Sequence, residues 1–449
     1  MFYIYDKSII GADFVEKAIL FQYVKGENMR LTDYEKAMLN GDLGEIPQQA
    51  IQALYDLSLF YDVEQFVEIV LCHDDSTVYA GEAQVAFAEM LAEKGAKFAV
   101  PTTTNACACD MNLWNRQKMD VETMSATRRI EAAHVKMGAI PIWSCAPYHV
   151  GMAPSFGQQV ACAESNVICY YNSIIGARTN RYAGPLELLC AIAGRAPYFG
   201  LHVPENRKAQ GLVKLGKDIK EEYFTDESIY NLVSYAFGSI VKDRIWALEG
   251  VPSKGITNEI LKQFSATASS SGGIALFHMI GITPEAQTLE QAFGGNKPKE
   301  TVEIHLEDLE RAENLLTNPE ADELDAIVLG CPHASYNECV MVRDLFNGRK
   351  VNPNTNFWLI TPRSVADRLK DSGVYEELIR AGVQVYSDGC ILEYRNKNLG
   401  TRTMMSNSGK FDTYCFSMRG IQPVFGSMKE CIESAVAGRV VKEAKPWRR

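Results

Sequence analysis

The chain has 449 residues, 47% of them apolar and 22% charged, the balance of a globular protein large enough for two or three domains around sizeable cores. A net charge of −11 argues against nucleic acid as a partner, because phosphate binding needs a basic face. No apolar run reaches the ~18 residues of a membrane span. Asp6 and Lys7 interrupt a start that lacks the basic end and long apolar stretch of a secretion signal, so the expected compartment is the cytoplasm.

Residues 1–28 read as an extension. Leu31-Thr-Asp-Tyr-Glu-Lys36 predicts a helix start capped by Thr32, and residues 47–62 carry apolar positions at helical spacing. The apolar run Phe66–Leu71 ends in the polar cluster Cys72-His-Asp-Asp-Ser-Thr77. A rhythm of helix, glycine, short strand and polar loop follows. A helix over Glu82–Lys94 is stopped by Gly95, and a strand over Lys97–Val100 leads into Pro101-Thr-Thr-Thr-Asn105. A helix over Ala126–Met137 is stopped by Gly138, and a strand over Ala139–Trp143 leads into Ser144-Cys-Ala-Pro-Tyr148. Such alternation predicts parallel sheets flanked by helices.

Residues 151–215 have little periodicity and are rich in Gly, Asn, Ser, Arg and Tyr, as a site lining would be. Within it, Glu164-Ser-Asn166, Asn172-Ser, Gly176-Ala-Arg-Thr-Asn-Arg181 and Glu205-Asn-Arg207 crowd carboxylates, amides and guanidinium groups together. Arginine suits bidentate binding of carboxylate or phosphate, although any one of these side chains can equally stabilise a loop. Gly294-Gly295 and Lys297-Pro-Lys299 mark the clearest boundary, dividing a first α/β region, 29–296, from a second, 297–449. In the second, strands are expected at Leu324–Leu329 (before Gly330-Cys-Pro-His333), at Phe357–Ile360 (before Thr361-Pro-Arg363 and a helix to Ala381) and at Val383–Tyr386 (before Ser387-Asp-Gly-Cys390). Ser270-Ser-Gly-Gly273 and Ser408-Gly-Lys410 can bind an anion at a helix start or simply cap it. His278 alone reads as a core histidine.

Twelve cysteines without a single CxxC pair point away from disulfides, structural zinc and ferredoxin-type clusters. Cys145, Cys331 and Cys390 each follow the carboxyl end of a predicted strand, where open α/β sheets bind ligands. Three such thiols suit an iron–sulfur or zinc centre with an open position. Cys107 and Cys109 compete for the same role, and the others read as core filling. A zinc hydrolase is the poorer alternative, because its ligands are usually histidines and His73, His149 and His333 show no HxxxH spacing.

Nine stretches together resemble the aconitase X family: Val100-Pro-Thr-Thr-Thr-Asn105, Ser144-Cys-Ala-Pro-Tyr148, Glu164-Ser-Asn166, Asn172-Ser-Ile-Ile-Gly-Ala-Arg-Thr-Asn-Arg181, Ala193-Gly-Arg-Ala-Pro197, Ser271-Gly-Gly273 with His278, Ile282-Thr-Pro-Glu-Ala286, Leu329-Gly-Cys-Pro-His333 and Ser408-Gly-Lys410. They stand in the family's order from 29 to about 435. The resemblance implies an aconitase-like α/β architecture that lacks the swivelling small domain, and a dehydratase acting on a small hydroxy acid. It implies an iron–sulfur cluster, or a mononuclear iron, on Cys145, Cys331 and Cys390. Thr103, Asn105, Glu164 and Lys410 become the catalytic set, and Ser165, Asn166, Asn172, Arg178, Thr179, Arg207 and His278 the substrate-binding set. A separate small subunit supplying a catalytic serine is implied as partner. Thr179-Asn-Arg-Tyr182 looks more like the branch acting on cis-3-hydroxy-L-proline than the one acting on 5-phosphomevalonate. A non-catalytic, partner-binding paralogue is the competing class. Two departures stand out: Gly389 lies where the family more often has Thr, and Cys107 and Cys109 follow a loop where thiols are not expected.

Overall fold

The computed structural model describes residues 29–393 and 401–448; the extension expected over 1–28 lies outside them. The helix capped by Thr32 runs Asp33–Leu39 with a full capping box, and the next runs Glu45–Phe60. A first parallel sheet has the strand order Thr102–Thr104, Cys72–Asp74, Ala161–Cys162. Of these, Thr102–Thr104 stands later in the sequence than the strand expected over Lys97–Val100, and no strand was expected at the other two. The apolar run at 66–71 contributes Phe66–Glu68 to an antiparallel pair with Arg195–Pro197. The polar residues after it form the buried central strand. Lys97–Val100 is likewise not a strand; the three buried threonines after it are. The strand expected over Ala139–Trp143 reduces to one bridge between Thr103 and Ile140. Periodicity favoured the apolar runs, whereas β-branched threonines pairing with buried backbone form the ladder.

A second sheet, also parallel, is ordered His278–Met279, Trp246–Glu249, Gly211–Leu215, Thr301–Ile304. The Gly294–Lys299 stretch therefore joins two parts of one sheet. The third sheet is five parallel strands in the order Gln384–Ser387, Asn356–Thr361, Ala326–Leu329, Met404–Ser406, Val424–Phe425. Three of its strands match the expected ones to within two residues, while Met404–Ser406 and Val424–Phe425 were not expected, and two helices, Arg363–Asp371 and Val374–Ala381, stand where one was expected.

Separate apolar cores lie beneath the three sheets. A further core, rich in methionine, joins the Cys107–Met124 segment to the third sheet through Val328, Trp358 and Ile360. That joint sets the carboxyl edge of the first sheet against the carboxyl edge of the third. Among the described residues no helix is long and apolar enough to cross a membrane.

Candidate active site

Between those two edges lies a cavity of about 770 Å³. Its polar lining comes from the turns that follow the strands. From the first sheet, Asp75 follows Cys72–Asp74, Asn105 follows Thr102–Thr104, and Glu164 and Ser165 follow Ala161–Cys162. From the third sheet, Cys331 follows Ala326–Leu329, Cys390 follows Gln384–Ser387, and Lys410 follows Met404–Ser406. Cys145 joins them from the turn after Ile140. Parallel strands end together, so residues far apart in sequence meet on one wall.

The three cysteines line this single cavity. Of the chain's twelve, only Cys145 and Cys390 are partly exposed rather than buried. Burial pushes their thiols up to about 12 and about 11, and Cys331 well above its usual range. Each is near enough to feel the others' charge. Gly330 turns the chain toward the cavity at φ +98, and a Cβ there would collide with the carbonyl oxygen of Ile360. Cys107 and Cys109 face away: Cys107 donates to the carbonyl of Cys109 at 3.0 Å, and Cys109 packs on the sulfur of Met124 at 3.6 Å.

Among the described residues, no three His, Cys, Asp or Glu donors stand close enough to hold a single metal ion. A cluster asks less of them, since each thiolate can take its own iron. A soft set of three thiols lining one cavity fits a cluster in donor chemistry.

Beside the thiols, Lys410 pairs with Glu164 and lies 3.4 Å from the Ser165 hydroxyl. Glu164 and the neighbouring thiols hold Lys410 protonated despite its burial. The second oxygen of Glu164 accepts from the Val167 N–H at 2.7 Å. Asn105 donates to Asp75. Burial, then the charge of Glu164, lifts the Asp75 carboxyl to about 7. Behind it, Glu187 accepts from the Asp75 N–H at 3.2 Å and from Ser76 Oγ at 3.0 Å, and is pushed up to about 8. Asp74, on the same strand, is held by His134 at 3.1 Å.

The remaining expected site residues fall in two groups. Two brace the cavity from behind. Thr103 shares a hydrogen bond with His73 Nδ1 at 2.8 Å, and Asn166 donates to the Cys145 carbonyl at 3.0 Å. The others lie elsewhere, in a network that stitches the polar segment together. Arg207 is 1% exposed and bonds Glu285, Asn172 and the Leu201 carbonyl. Asn172 also bridges Thr179 and Ala275, and His278 donates to the Arg207 carbonyl at 2.6 Å. Arg178 continues this ladder, its N–H bonding Gln158 at 2.9 Å. Arginine density in sequence cannot distinguish a guanidinium saturated by protein acceptors from one aimed at a ligand. Asp75 was missed, although it stands in the polar cluster after Leu71. The signal was there: an acidic pair closing a buried strand.

The two departures from the family pattern meet in space. Cys107 and Gly389 form a bridge, with Cys107 N–H to Asp388 O at 2.9 Å and Cys390 N–H to Cys107 O at 2.8 Å. A Cβ on Gly389 would lie 2.7–2.9 Å from backbone atoms of Cys109 and Asp110. The thiol-bearing loop packs where a side chain at 389 would stand.

Two parallel sheets with opposed carboxyl edges, three thiols and a buried carboxylate–ammonium pair define a lyase-like α/β site, and the comparisons agree. Family profiles for the aconitase X first, second and third domains match residues 28–205, 209–314 and 324–437. The chain is 32% identical over 420 residues to cis-3-hydroxy-L-proline dehydratase of Pseudomonas aeruginosa, covering 93% of this chain and 72% of that protein. It is 30% identical over 410 residues to the phosphomevalonate dehydratase large subunit of Methanocaldococcus jannaschii, covering 90% of this chain and 100% of that protein. A crystal structure of Thermococcus kodakaraensis aconitase X in its holo-form superposes with a TM-score of 0.81 at 28% identity, covering 91% of this chain and 100% of that one. The chain belongs to the aconitase X family, and it is a hydro-lyase.

Proposed function

We propose that the chain dehydrates cis-3-hydroxy-L-proline, with an iron–sulfur cluster on Cys145, Cys331 and Cys390 and a small subunit completing the site. The observation that carries this reading is the sharing of one cavity by three soft thiols, the Glu164–Lys410 pair and the raised carboxyl of Asp75. When bound, the cluster supplies an open iron position as a Lewis acid toward a hydroxyl. The names of the archaeal relatives, each a large subunit, support a separate small subunit. The serine implied by the family resemblance would enter with it as the base for the C–H proton.

The chain's own residues supply binding and orientation. Lys410, kept cationic, draws in the substrate carboxylate while Ser165 offers a hydroxyl beside it. Glu164 fixes the ammonium through its second anchor on the Val167 N–H. Asp75, once ionised, receives the secondary ammonium of the imino acid, and Asn105 holds its carboxylate in place. Such a cavity complements a zwitterion. A phosphorylated hydroxy acid, the second reading, is favoured by the names of those same relatives. It would bring a multiply charged anion to a lining that holds, among the described residues, no arginine and one lysine already paired.

The test is turnover of each substrate by the anaerobically prepared complex with its small subunit, followed as loss of hydroxy acid. Dehydration of cis-3-hydroxy-L-proline with no turnover of 5-phosphomevalonate is the expected result. The reverse preference overturns the substrate assignment. An iron-free complex inactive on both would make the chain a non-catalytic paralogue.

A further inference from the structure

One residue touches all three cysteine loops. His333 lies two positions after Cys331, its backbone N–H donates to the Cys145 sulfur at 3.3 Å, and its ring Nε2 bonds the carbonyl of Gly389, next to Cys390, at 3.0 Å. A carbonyl only accepts, so Nε2 carries the proton and Nδ1 is the bare nitrogen, buried without a partner. The loop is also held from outside. Lys262, fully buried on the helix Asn258–Gly272, donates to the His333 carbonyl at 3.0 Å and the Pro332 carbonyl at 3.4 Å, and pairs with Glu338. Glu338 closes the arrangement by accepting from the Ser335 N–H at 2.7 Å, capping the helix that follows. The ligand loops of the first and third domains thus meet at one residue, its backbone N–H on Cys145 and its imidazole on the Cys390 loop, and the carbonyl of that residue is pinned by a cation from the second domain.

We propose that His333 is a positioning residue that sets the three thiols at cluster spacing before iron arrives, with Lys262 as its anchor. This rests on the reading of Cys145, Cys331 and Cys390 as cluster ligands. The physical reason is pre-organisation: loops that are already in place lose little freedom when the cluster binds. Groups that orient metal ligands from behind typically change affinity by 10- to 100-fold when removed. A substitution that keeps the bond to Gly389 should therefore be tolerated, and one that loses it should loosen all three loops at once.

The experiment compares His333→Gln, whose amide N–H reaches the Nε2 position, with His333→Asn, whose shorter side chain does not. Each is made in the full chain and purified anaerobically with its small subunit. Iron and sulfide per chain and the rate of iron release to a chelator are measured beside far-ultraviolet circular dichroism and Tm. In the metal-free proteins, alkylation of Cys145 and Cys390 by iodoacetamide is followed by peptide mass. The Asn variant is expected to stay folded, to release iron about 10- to 100-fold faster than wild type, and to alkylate faster at both cysteines. The Gln variant should behave as wild type in each measurement. Equal iron release and equal alkylation in all three proteins overturns the proposal, as does a Gln variant as impaired as the Asn variant. If wild type holds no iron, the cluster reading itself fails, while the alkylation comparison still decides whether His333 orders the loops.

Discussion

Asp75 stands beside Glu164 and Asn105 at the end of a buried strand, and its raised carboxyl links catalysis to stability. Its ordinary value is ~3.9 in an unfolded chain, against about 7 in the fold. The folded state therefore favours the protonated form. The stability this contributes is complete below the unfolded value and is lost as pH rises through about 7. Binding of an ammonium needs the other form. Wild-type kcat/KM for the zwitterion should accordingly rise with pH and level off above about 7. Asp75→Asn should gain in Tm over wild type, by an amount that grows from pH 4 to 7, because the amide carries no charge to desolvate. The same variant should lose about 10- to 100-fold in kcat/KM, the worth of one hydrogen bond to a charged group. A variant with unchanged kcat/KM would remove Asp75 from the site. The sequence showed the acidic pair but not its depth, because the polar residues Cys72–Asp74 that form the buried strand carry no apolar periodicity. Asp75 then read as loop rather than as the end of a buried ladder.

At the scale of elements, the loop from Asn105 to Met119 docks on the Ser387–Cys390 turn. Asp110 accepts from the Ser387 N–H at 2.8 Å and from its hydroxyl at 3.2 Å, and Arg363 grips Asp388 at 2.7 Å. Gly389 is required by this contact, since its neighbours are backbone atoms that cannot rotate away. Gly389→Thr should therefore destabilise the fold by about 1–3 kcal/mol, the usual cost of forcing atoms into a packed site. It should also raise the rate of iron loss, because Cys390 moves with the turn. Urea unfolding and chelator release measure the two effects. Wild-type stability in the variant would show that the loop simply yields. Sequence reasoning noted both departures separately and could not join them, because their residues lie far apart in the chain. The first helix start was legible, and Thr32 closes its capping box; Ser335 and Ser427 close two more that the sequence reading did not name. The short strands of the first sheet were not, since their register depends on neighbours rather than on periodicity.

For the whole molecule, the arrangement that matters is the opposition of two parallel sheets across one cavity, held by the methionine-rich joint. This explains why residues chosen by strand-end reasoning line the cavity while several chosen by composition do not. Strand ends converge by topology. Arginines and amides gather wherever irregular backbone needs partners, and Arg207 and Asn172 do that work for the polar segment. The C-terminal residues close the molecule in a similar way. Trp447 and Arg448 bond Glu313, and Lys445 reaches Glu430 at 3.4 Å, tying the helix Leu306–Leu316 to the helix Met428–Ala437. The central claim is that three thiols from two facing sheet edges hold one cluster. Its most direct test is the iron and acid-labile sulfide content, with the absorption spectrum, of the anaerobically purified chain beside Cys331→Ser. The account predicts iron, sulfide and a visible cluster spectrum in wild type, and less than about a tenth of that iron in the variant, since a hydroxyl is a poor ligand for so soft a centre. Equal iron in the two proteins, or iron without sulfide, would contradict it.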